Sequence, residues 1–432
     1  MGLDPTRPCV GMAPKAIILV GGLGTQLRPL TLSKPKALID FGNKPLLQHL
    51  IDGLARAGVS EIILAINYRA EIMREFLDKI QRQYSITITC SQESEPLGTA
   101  GPLAMARGLL QGGDDPEPFF VMNCDIVCDC NFGALLAFHR AHGKLGTIIG
   151  TRVGEPAKYG KSVIVAHETG LVDKFVEHGR TFAGNLINAG VYVFSPGLLE
   201  RIALRPTSME REVLPELAAE DQLYCHELKG GILSLHPDAH FSHMSHSPFP
   251  HISELNSSLG YWMNVKQPRD FLQGHALFLK ELARTPSHGE EVSHLGRLCH
   301  ADNEGAPPVV PPPEEVPGGS TFIGNVQVDP SATIGAGCCI GPDVTIGAGC
   351  VLEGGARLMR CILLEGVTVS AHSTVIDSIC GWRSTVGRWT RVEGVSVLGE
   401  DVHLGNEIHV NGALILPHKH IHESVIEPRI IM

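Results

Sequence analysis

From Val328 an aliphatic residue returns every six positions, at Ile334, Ile340, Ile346, Leu352, Leu358 and Leu364. Two positions ahead of each stands a small or aliphatic residue: Val326, Ala332, Cys338, Val344, Cys350, Ala356 and Ile362. Gly335, Gly341 and Gly347 follow their aliphatics directly. A six-residue period is the mark of a parallel β-helix of hexapeptides. Three hexads make one triangular coil with the aliphatic side chain inside. A lone coil cannot bury its face, so coils stack and such domains associate. The phase slips near Ser370, and the repeat ends loosely in Pro417-His418-Lys419 and the tail Pro428-Arg429-Ile430-Ile431-Met432.

Residues 15–285 carry a different pattern. Strand-like runs at Ile17–Val20, Glu61–Ile66, Ile86–Cys90, Phe119–Met122, Thr147–Thr151, Val163–Ala166, Ala189–Phe194 and Leu223–Leu228 alternate with helix-like stretches such as Leu46–Ala57, Ala70–Gln83, Ala100–Leu110 and Phe132–Ala141. That alternation predicts an α/β, doubly wound sheet of Rossmann type, whose ligands bind beyond the carboxyl ends of the strands. Residues 286–320, with PPVVPPPEEVPGG, read as a stiff linker to a β-helix domain over 321–432. Residues 1–14 read as a flexible extension. They also fit a short myristoylation pattern through Gly2 and Thr6.

The first strand runs into Gly21, Gly22 and Gly24, then Thr25, with Lys34-Pro35-Lys36 close behind. Glycines let the backbone present its N–H groups to an anion, and the lysines add positive charge. The spacing matches neither the P-loop nor the dinucleotide fingerprint.

Lys+Arg 35 against Asp+Glu 46 gives a net charge of −11, which argues against nucleic acid as a partner. No run of about 18 apolar residues is present, so no membrane span is expected. Without a secretory signal layout the twelve cysteines read as reduced thiols of a cytoplasmic protein. Cys124, Cys128 and Cys130 lack the second ligand cluster that zinc needs. His236, His240, His243, His246 and His251 lie among Ser and Pro in a stretch, 230–259, that reads as an exposed inserted loop rather than a metal site.

Residues 17–31, IILVGGLGTQLRPLT, resemble the G-G-x-G-T-R-L-x-P-L-T…P-K-P signature of sugar-1-phosphate nucleotidyltransferases. With a left-handed β-helix behind it, the stretch Glu95–Pro102 and the ending EPRIIM, the chain resembles the mannose-1-phosphate guanylyltransferases of catalytic (beta) type. The resemblance implies the reaction GTP + mannose-1-phosphate → GDP-mannose + pyrophosphate, with Mg²⁺ as cofactor and homo-oligomers or hetero-oligomers with a related subunit. It implies nucleotide contacts from Gly21, Gly22, Gly24, Thr25, Gly98, Thr99 and Asp125. It places Lys36 on the nucleotide phosphates, and Gly160, Glu177 and Asn188 on the sugar. Asp125, in Asn123-Cys124-Asp125, matches the family's metal carboxylate.

Four positions depart from the pattern. Gln26 stands at the family's arginine on the triphosphate, and His178 at its lysine on the sugar phosphate. Asn264 stands at its second metal carboxylate, and Ala37 at a frequent proline. Two readings follow: an active guanylyltransferase, or a charge-depleted relative that binds nucleotide sugar or regulates an active subunit.

Overall fold

Runs of β-branched and aliphatic residues build one seven-stranded sheet. Its spatial order is Leu223–Glu227, Gly146–Arg152, Leu186–Phe194, Phe119–Asn123, Lys15–Leu19, Glu61–Ile66 and Thr87–Gln92. Lys15–Leu19 lies parallel to Glu61–Ile66 and to Phe119–Asn123, with Ile17 opposite both Ile63 and Val121. Ala16, Ile17 and Ile18 are fully buried. A parallel strand covered on both faces needs such an unbroken apolar run. Leu186–Phe194 runs antiparallel to both of its neighbours, so the sheet is mixed.

The structure is a computed structural model that describes residues 13–22, 24–66, 70–111, 117–154, 156, 162–166, 168–177, 184–228, 260–284, 297–299 and 319–432. The first twelve residues and the histidine-rich stretch 230–259 lie outside these. The chain divides into two compact units: Met1–Gly21 with Leu50–Trp262, and Gly22–His49 with Met263–Met432. In the first, every strand read from the sequence appears within a few residues of its expected ends. The helix expected over Ala100–Leu110 is two short ones, Gly101–Met105 and Arg107–Leu110. A strand not expected, Val172–Glu177, pairs antiparallel with Ser162–Ala166.

In the second unit three sheets of eight, six and six strands, parallel except for one edge strand of the first, wrap a single aliphatic column, consistent with a left-handed β-helix. Two expectations are corrected here. Val326 pairs with Val344, eighteen positions on, but Ile346 pairs with Leu363, seventeen positions on. The first slip therefore comes between Leu358 and Leu363, before Ser370, and a second five-residue step follows from Val375 to Cys380. Leu363 rather than Leu364 continues the row of Ile346.

The array also does not end loosely. It continues to the tail, where Leu414 pairs with Ile430 and Ile415 with Ile431. In the later coils, on all three sheets, the small residue is Ser373, Ser378, Ser384, Thr390 and Ser396, each at most 1% exposed. Their hydroxyls bond to carbonyls: Ser384 Oγ donates to the Gly399 carbonyl at 2.8 Å, and Thr390 Oγ1 to that of Gly405 at 2.7 Å. A buried hydroxyl with an acceptor serves here as a small core residue. Within the stretch read as linker, strand Arg297–Cys299 pairs antiparallel with Val326–Val328.

The same unit holds the hairpin Asp40–Phe41 with Lys44–Pro45 and the helix Pro268–Arg284. Phe41 meets Phe271 and Phe278 edge-on, with ring centroids 5.3 and 5.6 Å apart. From there a buried polar chain runs into the β-helix. His275 Nε2 and Thr345 Oγ1 are 2.5 Å apart, Thr345 Oγ1 donates to Gln327 Oε1 at 3.2 Å, and Gln327 Nε2 donates to the Gly42 carbonyl at 3.2 Å. Thr345 and Gln327 thus use the hydroxyl proton and amide oxygen on each other, which leaves His275 Nε2 to donate. Burial pushes the His275 imidazole down to about 3, so the ring is neutral in the fold.

Candidate active site

In the first unit the carboxyl ends of two adjacent parallel strands meet. Leu19 lies opposite Asn123, and the Cys124 amide donates to the Leu19 carbonyl at 3.2 Å. Gly21 follows one strand and Asp125 the other. Both thus leave the sheet at the edge where ligands of such folds bind. Asp125 is half-buried.

The loop Pro96–Ala100 is fixed by its own unit. Gly98 has φ +74°, and a Cβ there would stand 2.5 Å from the Thr207 carbonyl oxygen, so only glycine fits. The Ala100 amide donates to that same carbonyl, and the Thr207 amide donates to the Leu97 carbonyl, both at 3.0 Å. Thr99 Oγ1 donates to Glu210 Oε2 and accepts from the Met209 amide, both at 2.8 Å. The Thr99 hydroxyl therefore ties the loop to the segment beginning at Thr207.

Asn188 is similarly held. Its Nδ2 donates to Tyr192 Oη at 2.8 Å and its Oδ1 accepts from the Gly190 amide at 2.9 Å. Burial, with the Glu210 carboxylate next in effect, pushes the Tyr192 phenol well above its ordinary range, so it stays neutral and hydrogen-bonded. Glu177 ends the strand Val172–Glu177, its backbone opposite Ser162. Gly160 and His178 lie outside the described residues.

The rest of the glycine loop belongs to the second unit. Gly22 and Gly24 have φ +102° and +57°. Gly24 packs against its own loop, since a Cβ there would meet Thr31 Cγ2 at 2.9 Å and Lys36 Cβ at 3.3 Å. Thr31 Oγ1 donates to the Gly24 carbonyl at 2.8 Å. Thr25 and Gln26 lie exposed in the short 3-10 turn Thr25–Leu27, and Lys36 opens the turn Lys36–Leu38, half-buried. The Lys34 ammonium instead sits over the Trp382 ring, 4.5 Å from its centroid.

The motif around Trp262 is seated. Trp262 is 2% exposed, and its Nε1 donates to the Ala189 carbonyl at 2.8 Å. Two residues on, in the second unit, Asn264 Oδ1 is buried and has no hydrogen-bond partner among the described residues. A buried amide oxygen left unpaired is suited to a hard cation, as is the carboxylate of Asp125.

Among the described residues no three His, Cys, Asp or Glu side chains converge as a metal site. Cys124, Cys128, Cys130 and Cys225 are free, and burial pushes Cys130 and Cys225 up to about 12, so those two thiols stay protonated. No helix among these residues is long and apolar enough to cross a membrane. Sequence reasoning missed Glu210, Tyr192 and Trp382. The helix start Ser208-Met209-Glu210 is legible as a cap pattern, but its bond to Thr99 spans 111 positions.

A sheet with a phosphate-type glycine loop, joined to a hexapeptide β-helix, defines a class of nucleotide-using transferases. Residues 15–281 match the nucleotidyl transferase family, and residues 322–431 match the GMPPB C-terminal domain. Over 418 residues the chain is 45% identical to the probable mannose-1-phosphate guanylyltransferase 3 of Oryza sativa subsp. japonica. It is equally similar to the mannose-1-phosphate guanylyltransferase catalytic subunit beta of Danio rerio. Over 420 residues it is 46% identical to the mannose-1-phosphate guanyltransferase of Neurospora crassa. Each alignment covers 97% of this chain and all of the relative. The chain belongs to the mannose-1-phosphate guanylyltransferase family.

Proposed function

We propose that this chain transfers a guanylyl group from GTP to mannose-1-phosphate. A phosphate oxygen of the sugar phosphate forms the new bond to the α-phosphorus. The bond from that phosphorus to the bridging oxygen breaks, and pyrophosphate leaves with the electron pair. Both reactants are anions, so the work of the site is positioning and neutralisation.

The observation that carries this reading is the pairing of Leu19 with Asn123, which brings Gly21 and Asp125 to one strand edge. In this reading the backbone N–H groups around Gly21, Gly22, Gly24 and Thr25 cradle the triphosphate, with Lys36 beside them. Gln26 adds a neutral donor there. Gly98 shapes the loop that faces the base, and Thr99 holds that loop. Gly160, Glu177 and Asn188 meet the sugar, and His178 its phosphate. Asp125 and Asn264 supply oxygen ligands to Mg²⁺. When bound, that cation neutralises phosphate charge.

The test is pyrophosphate release by the purified chain with GTP, mannose-1-phosphate and Mg²⁺. We expect turnover, lowered at least about a hundredfold by Asp125→Ala. Release no faster than in that variant overturns the reading.

A further inference from the structure

Two lysines follow the glycine loop, and the fold separates them. We propose that Trp382 of the β-helix is a positioning residue for the triphosphate loop, acting through Lys34. The inference rests on the guanylyl-transfer reading for its kinetic consequence but not for its structural one.

Trp382 is 1% exposed, so its ring is a fixed wall of the β-helix. The Lys34 ammonium lies over that wall rather than in solvent. A cation over an indole face is the strongest of the aromatic pairings of this kind. The indole Nε1 points at Asp40 Oδ2 across a long 3.5 Å contact. Burial raises the Asp40 carboxyl above its ordinary range, and Lys34 opposes that shift. Lys34 and Asp40, both half-buried, thus form one cluster with the buried Trp382. Ser33 adds a bond to Glu400, and Asn43 Nδ2 donates to the Ile346 carbonyl at 3.1 Å.

Between Lys34 and Lys36 stands only Pro35, whose ring restricts the backbone at φ −52°. A fixed Lys34 therefore sets where Lys36 begins, and Lys36 Cβ packs beside Gly24. The Lys34 ammonium is held over the indole, and in the guanylyl-transfer reading it is Lys36 that serves the nucleotide. Releasing Lys34 lowers the fraction of molecules whose loop is ordered, which weakens apparent GTP affinity by that fraction. Once GTP has ordered the loop, the chemical step is unaffected.

The experiment measures amide hydrogen exchange over residues 24–41 in the nucleotide-free chain, and the KM for GTP and kcat. The variants are Lys34→Gln, Lys34→Arg, Trp382→Phe, Trp382→Leu and the double variant Lys34→Gln with Trp382→Leu. We expect faster exchange in Lys34→Gln and Trp382→Leu. Lys34→Gln should raise the KM for GTP about two- to fivefold, with kcat within about twofold of the parent. Lys34→Arg and Trp382→Phe keep the cation and the ring, and stay near the parent. The double variant is no worse than Trp382→Leu alone, as expected when two residues act through one contact.

Parental exchange and KM in Lys34→Gln overturn the proposal. So does a fall in kcat at unchanged KM, which would place Lys34 at the transition state. If Trp382→Leu fails to fold, Lys34→Gln decides alone, because it leaves the core intact. If the parent does not turn over, the functional reading fails and exchange still decides the clamp.

Discussion

The loop at Gly98 and the loop at Gly24 are fixed by opposite means. Gly98 is held by backbone: its neighbours Leu97 and Ala100 exchange hydrogen bonds with Thr207, and no side chain beyond hydrogen fits. The Gly24 loop closes on itself through the Thr31 hydroxyl and the Leu27 amide, both on the Gly24 carbonyl, and the segment beyond it is anchored by side chains of the β-helix and the helix Pro268–Arg284. Backbone pairing leaves few ways to give. Side-chain anchoring can be loosened by one substitution or by one proton. The two loops should therefore fail differently.

The largest expected effect breaks the Gly98 side of that contrast. Gly98→Val places a Cβ against the Thr207 carbonyl and puts a β-branched residue at positive φ. Together these cost about 3 kcal/mol or more. The melting temperature should fall by several degrees, and activity should vanish at temperatures where the chain still folds. A variant as stable and active as the parent would show that this loop is not held by backbone.

Next is a proton. His275 anchors the hairpin that follows Lys36, and its folded-state value of about 3 lies below the ordinary 6.5. Below the unfolded value the unfolded chain takes up a proton that the fold refuses. Its contribution is therefore present above pH 6.5 and is lost as pH falls toward 3. From pH 7 to 5 this amounts to about 2 kcal/mol. His275→Gln retains an N–H donor for Thr345 and removes the titration. The parent should lose more melting temperature than His275→Gln over that interval, and equal losses would remove His275 as the cause.

How much of this was legible follows the same divide. The strands of the first sheet announce themselves as apolar runs, because burial on both faces demands it. The hexad announces the β-helix as far as Leu358. It then disappears from an aliphatic count for two local reasons: the five-residue steps to Leu363 and to Cys380, and serine or threonine in the small position at Ser373, Ser378, Ser384, Thr390 and Ser396. Glycines, Asp125 and Asn264 could be picked out by resemblance. What holds them could not. Thr99 meets Glu210 111 positions away, and Trp382 meets Asp40 342 positions away. No local pattern encodes such pairs, and Lys34 beside Lys36 gives no sign that the two lysines have different tasks.

The smallest effect sharpens the contrast within the Gly98 loop. Thr99 adds a side-chain tie to a loop already fixed by backbone. Thr99→Val keeps shape and volume but leaves the Met209 amide unpaired and removes one donor from Glu210, which retains Ser208 Oγ at 3.2 Å. The loss should be about 1–2 kcal/mol, less than that of Gly98→Val. Thr99→Ser restores the hydroxyl and should recover most of it. If backbone dominates this loop, Thr99→Val lowers stability while the KM for GTP stays within about twofold of the parent. A rise in KM beyond that, reversed by Thr99→Ser, would show that both loops depend on side-chain anchors and that the difference between them is one of degree.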